Sequence, residues 1–286
     1  MLANRRVHRL KGGAVMAEWG PMRLLISSFL GKVPQQEMNL LAAEEAFKFL
    51  EVVARLKEAL RKPWKDAPRL LQEPLGNKML ESVRSVGDSA LTPMAAVAGT
   101  IADGVADFLF SKGLTKVIVN NGGDIAVRLM APDSVRVGLR ENVESEAFNK
   151  VVSLTPSNES ENASFGIATS GLGGRSLTCG IASAATVVAK TASLADAAAT
   201  AAANASFVEA PGVIRRPAET VDPQTDIPGI FVTVQVERLD LKTRIEGISR
   251  SLSLAEKLVK NGKILGAMVT VDGECGMTSF FENHSS

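Results

Sequence analysis

The chain has 286 residues, 45% apolar and 22% charged, with a formal net charge of +1. That length suits one large domain or two smaller ones, and near-neutral charge excludes the electrostatic footprint of a nucleic-acid or membrane-surface binder. With no Tyr and only two Trp, a platform for stacking many exposed bases is also excluded.

From the N-terminus, a basic stretch (Arg5, Arg6, Arg9, Lys11) precedes Gly12–Gly20, which is too short and too polar for a signal core. A frayed start is expected. No run stands out as a bilayer-spanning segment, so the expected location is the cytoplasm. Met22–Ser27 reads as a strand. Gln35–Arg61 reads as a long helix with Leu40, Leu41, Phe47, Leu50, Val53, Leu56 and Leu60 near one face. Pro63, Pro68 and Pro74 mark an irregular connection. Thr92-Pro93 supplies a cap and first-turn pair for a helix running to about Ser111, with Gly113 as its stop.

The apolar run Lys116–Asn120 then reads as a buried strand. Val135–Leu139, Val151–Leu154, Ala184–Ala189, Gly229–Val236 and Leu265–Val271 are further strands. Thr155–Ala163 is polar and expected as a loop, Ser193–Ala205 is an alanine-rich helix, and Ser251–Lys260 is a short one. Residues 211–228 hold four prolines and are expected as a mobile loop.

Cys179 and Cys275 lie too far apart in sequence for a metal-spaced pair and are expected as small buried hydrophobes in a reducing compartment. His8 and His284 sit near the termini, which argues against a His-based zinc site or a Ser-His-Asp triad. Any metal should therefore be a hard cation held by oxygens.

Four segments carry candidate chemistry. In Asn120-Asn-Gly-Gly-Asp124 two glycines allow positive φ and close ligand approach, and Asp124 adds a charge. Gly-Gly between apolar runs is equally a hairpin signal. In Gly166–Ser176, Thr169 and Ser170 offer hydroxyls on an open backbone, without the ending of a phosphate-binding P-loop. A glycine-rich loop with no ligand is the plainer reading there. Asp196 and Thr200 stand at i and i+4, one turn apart on one helical face, where they can share magnesium. A first-turn acid favouring the helix dipole reads the same way. Gly99 inside a helix calls for a close neighbour, either backbone or ligand, and Asp103 and Asp107 repeat the i, i+4 spacing.

Taken in order, these segments resemble the ApbE-like superfamily, whose founding members are flavin transferases. The carriers are Ala98-Gly-Thr-Ile-Ala-Asp103, Asn120-Asn-Gly-Gly-Asp124, Ala168-Thr-Ser-Gly171 and Ala195-Asp-Ala-Ala-Ala-Thr-Ala201. Thr92-Pro-Met-Ala-Ala-Val-Ala-Gly99 is similar to a motif of a less characterised branch. The motif core covers residues 90–205, and a single domain over 1–286 is expected. The resemblance implies an α/β (α+β) fold with mixed, largely antiparallel sheets packed against helices. It also implies FAD or FMN in a cleft and Mg2+ near the phosphates. Asn121, Gly122, Gly123, Asp124, Thr169, Ser170, Gly171 and Asp103 would serve the flavin, and Asp196 and Thr200 the metal. A carbonyl near Ala95 would be a further metal ligand.

In the transferases, FMN passes from FAD to a protein threonine and AMP is released, so the implied partners are a flavin nucleotide and an acceptor protein; a homo-oligomer is left open. The alternative is a flavin- or nucleotide-binding accessory protein of a redox enzyme, without transferase activity. Two departures bear on this choice. Ala98 stands where the transferases have Lys, and Ser176–Ser183 replaces a segment containing His. Arg175 and Lys190 would supply charge, although Arg is no base at neutral pH.

Overall fold

A computed structural model describes residues 4–141, 148, 150–157, 160–174 and 176–284. Strands β1 (Arg6–Arg9), β2 (Val15–Trp19), β3 (Met22–Leu30) and β4 (Val33–Pro34) precede helices α1 (Gln36–Leu60), α2 (Pro74–Val86) and α3 (Val97–Ser111), the last entered through a 3-10 turn at Pro93–Ala96. Next come β5 (Lys116–Asn121), β6 (Asp124–Met130), β7 (Val135–Leu139), β8 (Lys150–Leu154), β9 (Asn162–Ser170), β10 (Ala184–Ala189) and α4 (Ala192–Ala205). The chain continues through β11 (Val213–Pro217), α5 (Ala218–Val221), β12 (Phe231–Val236), α6 (Leu241–Lys260), β13 (Ile264–Val271), β14 (Glu274–Met277) and α7 (Ser279–His284).

Among the described residues, ten strands form one sheet in the order β1-β2-β3-β5-β6-β9-β10-β13-β14, with β4 paired to β3. The ribbons β7-β8 and β11-β12 are separate. Every ladder among the described residues is antiparallel.

Alternation along each strand divides the core into layers. Leu24, Ile26, Val117, Val119, Ala126, Ala168 and Val187 face the helices α1, α3 and α4. Val127, Leu129, Ile167 and Val188 face the other way, against the β7-β8 ribbon and Phe281 of α7. The abundant alanines of α4, most of them fully buried, let that helix sit close to the sheet.

Several sequence expectations change. The N-terminal segment forms β1 rather than a frayed start. Pro74 opens α2 as its first residue instead of breaking structure, because the missing N–H is not needed there. Leu41 is exposed, and the buried face of α1 uses Ala42, Ala43, Ala46 and Phe47. Residues 211–228 contain β11 and α5, with β11 held by pairing to β12. Cys275 is exposed rather than buried. Pro93–Ser111, at mean hydropathy 1.3, is long and apolar enough to cross a membrane by length and composition. Here it is a core helix, burying Ile101, Val105 and Leu109 and carrying a paired Asp103.

Candidate functional site

The Gly122–Gly123 segment is a two-residue hairpin loop, with Asn121 opposite Asp124. Both glycines have positive φ, 69° and 119°, as the type I′ turn requires. Asn120 closes it by accepting a hydrogen bond from the Gly123 N–H at 2.8 Å. A side chain at Gly123 would meet nothing within 4 Å, so conformation, not crowding, demands glycine there. Alternation sends Asn121 and Asp124 to the helical side, and Asn120 and Ile125 to the other.

On the helical side, Asn121 and Asp196 meet the start of α3. The Asp196 carboxylate accepts the Gly99 N–H at 2.9 Å and is also bonded by the Ala98 N–H. Asn121 Nδ2 donates to the Ala98 carbonyl at 3.2 Å. Burial and then the neighbouring charge of Asp124 push the Asp196 carboxyl well above the usual carboxylate range, outweighing those N–H groups. Thr200 lies one turn further along α4 and is buried. Ser170 also faces the helices, and its buried hydroxyl has no hydrogen-bond partner among the described residues.

Gly99 explains itself by packing. A Cβ there would fall inside van der Waals contact with the Ala192 carbonyl and lie 2.9 Å from Ser193 N. The close neighbour is therefore the backbone of α4.

Asp103 corrects the expected ligand set. It is fully buried. Its oxygens accept from Ala192 N at 3.0 Å and Ser193 N at 2.9 Å, and they pair with Arg128 at 2.9 Å and Lys78 at 3.3 Å. Burial alone would raise its pKa, but Lys78, Arg128 and the Ser193 N–H together lower it. The carboxylate is committed to holding α4 on α3 and is not available to a flavin. Lys78 lies on α2 and Arg128 on β6, in the strand that follows the Gly122–Gly123 turn, and no sequence signal linked them to Asp103. Asp107, one turn further along α3, joins the same cluster through Arg128 at 2.7 Å.

Thr169 and Ser170 end strand β9 rather than lying in a glycine-rich loop, and Gly171 follows the strand. Neighbouring strand residues face opposite ways, so Thr169 points away from Ser170. Its hydroxyl meets that of Thr186 at 2.8 Å on the non-helical face. Gly171 has φ of 152°, and a Cβ there would lie 2.7 Å from the Ser183 carbonyl, so local packing accounts for it. Arg175 lies outside the described residues.

The donors near α3 are carboxylate, hydroxyl and carbonyl oxygens, which suit a hard cation. No group of three or more His, Cys, Asp or Glu that could hold a metal occurs among the described residues. Asp196 and Thr200 would supply at most two oxygens to such an ion, with water or phosphate completing its shell. A cation there would also offset the unfavourable burial of Asp196 beside Asp124.

The chain is 32% identical over 173 residues to a UPF0280 protein of Methanococcus aeolicus, covering 60% of this chain and 66% of that one. A UPF0280 protein of Methanococcoides burtonii is 34% identical over 187 residues, covering 65% and 72%. The chain thus spans about two thirds of the length of these curated relatives. Its fold is similar to that of the ApbE protein of Thermotoga maritima, at TM-score 0.53 and 11% identity, over 98% of this chain and 99% of that one. It is likewise similar to the flavinyl transferase ApbE of Pseudomonas stutzeri, at TM-score 0.52 and 14% identity, over 98% and 97%. The profile of the family described as AbpE bacteria matches residues 5–277, and the chain belongs to that family, within the ApbE-like superfamily.

Proposed function

We propose that this protein binds a flavin nucleotide at the Gly122–Gly123 turn, with magnesium shared between the phosphates and Asp196 and Thr200. The observation that carries this reading is the convergence of Asp124, Asp196 and Asn121 on the first residues of α3. The positive end of a helix favours phosphate, and two nearby carboxylates favour a divalent cation that also binds phosphate. The similarity in fold to the flavinyl transferase of Pseudomonas stutzeri supports flavin as the nucleotide.

Within that reading, the reaction is transfer of FMN from FAD to an acceptor hydroxyl. The hydroxyl oxygen bonds to the FMN phosphorus, the pyrophosphate bond breaks, AMP leaves and the hydroxyl proton is released. A cation beside the phosphates would stabilise the charge that develops. Ala98 favours a second reading, in which flavin binds without transfer, because it removes the transferases' Lys from the edge of the site.

Incubation with FAD, magnesium and candidate acceptor proteins separates the two. AMP release with fluorescent flavin retained on a denatured acceptor supports transfer. Bound but unconsumed flavin supports the second reading. Absence of FAD and FMN binding by folded protein up to about 1 mM, equivalent to roughly −4 kcal/mol, contradicts both.

A further inference from the structure

The connection between α1 and α2 (residues 61–73) borders a cleft of about 430 Å3, lined by Trp64, Lys65, Ala67 and Arg69 together with Arg84 of α2. That is within the size range of small-ligand sites. Its parts are held in place by hydrogen bonds. The Trp64 backbone N–H donates to the Leu91 carbonyl at 3.1 Å, and the indole Nε1–H donates to the Asp88 carbonyl at 2.7 Å. The ring is thereby pinned to the segment that leads into Pro93. Arg84 reaches across from α2, with Nη1 donating to the Arg69 carbonyl at 2.8 Å and Nη2 to the Pro68 carbonyl at 3.1 Å. Two carbonyls orient the guanidinium without neutralising it, and three of its five N–H groups remain for a ligand.

Charge in this cleft is one-sided. Lys65, Arg69 and Arg84 line it and no acidic residue does. Among the described residues, none of these three cations forms an ion pair. Nearby acids are engaged elsewhere: Glu73 pairs with Arg55 at 3.0 Å, and the Asp88 carboxylate accepts the Ala90 N–H at 2.9 Å. The Lys65 ammonium lies 5.6 Å from the centre of the Trp64 ring. Cations gathered without a counter-charge repel one another, and a bound anion relieves that repulsion.

We propose that this cleft binds a small phosphate monoester, its phosphate held by Lys65, Arg69 and Arg84 and its organic part set against the Trp64 indole. A phosphate monoester carries close to two charges near neutral pH and presents three strong acceptor oxygens. That matches cations arriving from α2 and from two points of the connection. A carboxylate brings one charge and two oxygens and leaves the cleft cationic. Arginine suits phosphate because its planar fork donates two parallel hydrogen bonds. The cleft is larger than a bare phosphate needs, and Trp64 is the one aromatic surface among its lining residues. None of these residues belongs to the Gly122–Gly123 turn, to α3 or to α4, so the proposal is independent of the flavin reading.

The test is isothermal titration of phenyl phosphate into the full chain, with benzoate and inorganic phosphate as comparators. Chelator is present throughout, which removes any cation held by Asp196 and keeps the turn from contributing. The expected result is a Kd for phenyl phosphate below about 1 mM, tighter than for either comparator and unchanged in Asp196→Asn. Lys65→Gln and Arg69→Gln, at exposed positions, should each weaken binding about threefold or more, and Arg84→Gln about tenfold or more. Melting temperatures check folding. Arg84→Gln also removes the two carbonyl contacts, so the two exposed variants, which keep them, decide the result if it fails to fold. Absence of phenyl phosphate binding by folded wild type, equal affinity for benzoate, or affinity that ignores both exposed substitutions overturns the proposal. Co-sedimentation with phosphatidic acid vesicles in the absence of phenyl phosphate binding overturns it too, and assigns the patch to a lipid surface.

Discussion

Asp103 and Asp196 cap each other's helices. Asp103 of α3 accepts the Ala192 and Ser193 N–H groups at the start of α4, and Asp196 of α4 accepts the Ala98 and Gly99 N–H groups at the start of α3. The N-terminal turns of the two helices are therefore locked to each other. The carboxylates are nevertheless electrostatic opposites. Asp103 is compensated by Lys78 and Arg128 and stays ionised, whereas burial and Asp124 drive Asp196 toward its neutral form.

Asp103→Asn should be strongly destabilising. It leaves the buried Arg128 with only the half-exposed Asp107 as a charge partner, and weakening a buried pair in this way costs up to about 3–5 kcal/mol. Because the Asp103 pKa is lowered in the folded state, its stabilisation is present above the unfolded carboxylate value of about 3.9. It is lost as pH falls through the lower folded value. Urea unfolding of wild type and variant across acidic pH checks both the size and the convergence of the curves.

Gly99→Ala should also destabilise, although alanine favours an exposed helix over glycine by about 1 kcal/mol. The added methyl meets the Ala192 carbonyl, and overpacking of this kind costs about 1–3 kcal/mol. Thermal unfolding decides the sign; a raised melting temperature would mean that the two helices are not this close.

The raised pKa of Asp196 has the reverse linkage. Its contribution to stability is present below the unfolded value and lost as pH rises through the folded one. Without divalent ions at neutral pH, Asp196→Asn should be as stable as wild type or more so, since an amide oxygen can still accept the Gly99 N–H. Magnesium should raise the wild-type melting temperature more at about pH 8 than at about pH 5, because protons compete for the same oxygens. Equal shifts at both would separate Asp196 from the ion.

Strands with dense apolar runs, such as Ala184–Ala189, were legible because burial on both faces leaves few alternatives. The hairpin at Gly122–Gly123 was legible from its turn residues, and Gly99 signalled a close neighbour. The role of Asp103 was hidden, since Lys78, Arg128 and Ala192 meet it only through tertiary packing. The division of Thr169 from Ser170 was hidden as well. Opposite facing follows from strand geometry, and the surrounding glycines suggested a loop instead.

The central claim is that the edge formed by Asp124, Asp196 and the start of α3 holds a cation together with the phosphates of a flavin nucleotide. Isothermal titration of FAD into wild type and Asp196→Asn, each with magnesium and with chelator, tests it most directly. The expected result is that magnesium strengthens wild-type binding by about tenfold or more, the equivalent of roughly 1.4 kcal/mol, and that Asp196→Asn abolishes this gain while remaining folded. FAD affinity that is the same in all four titrations would contradict it.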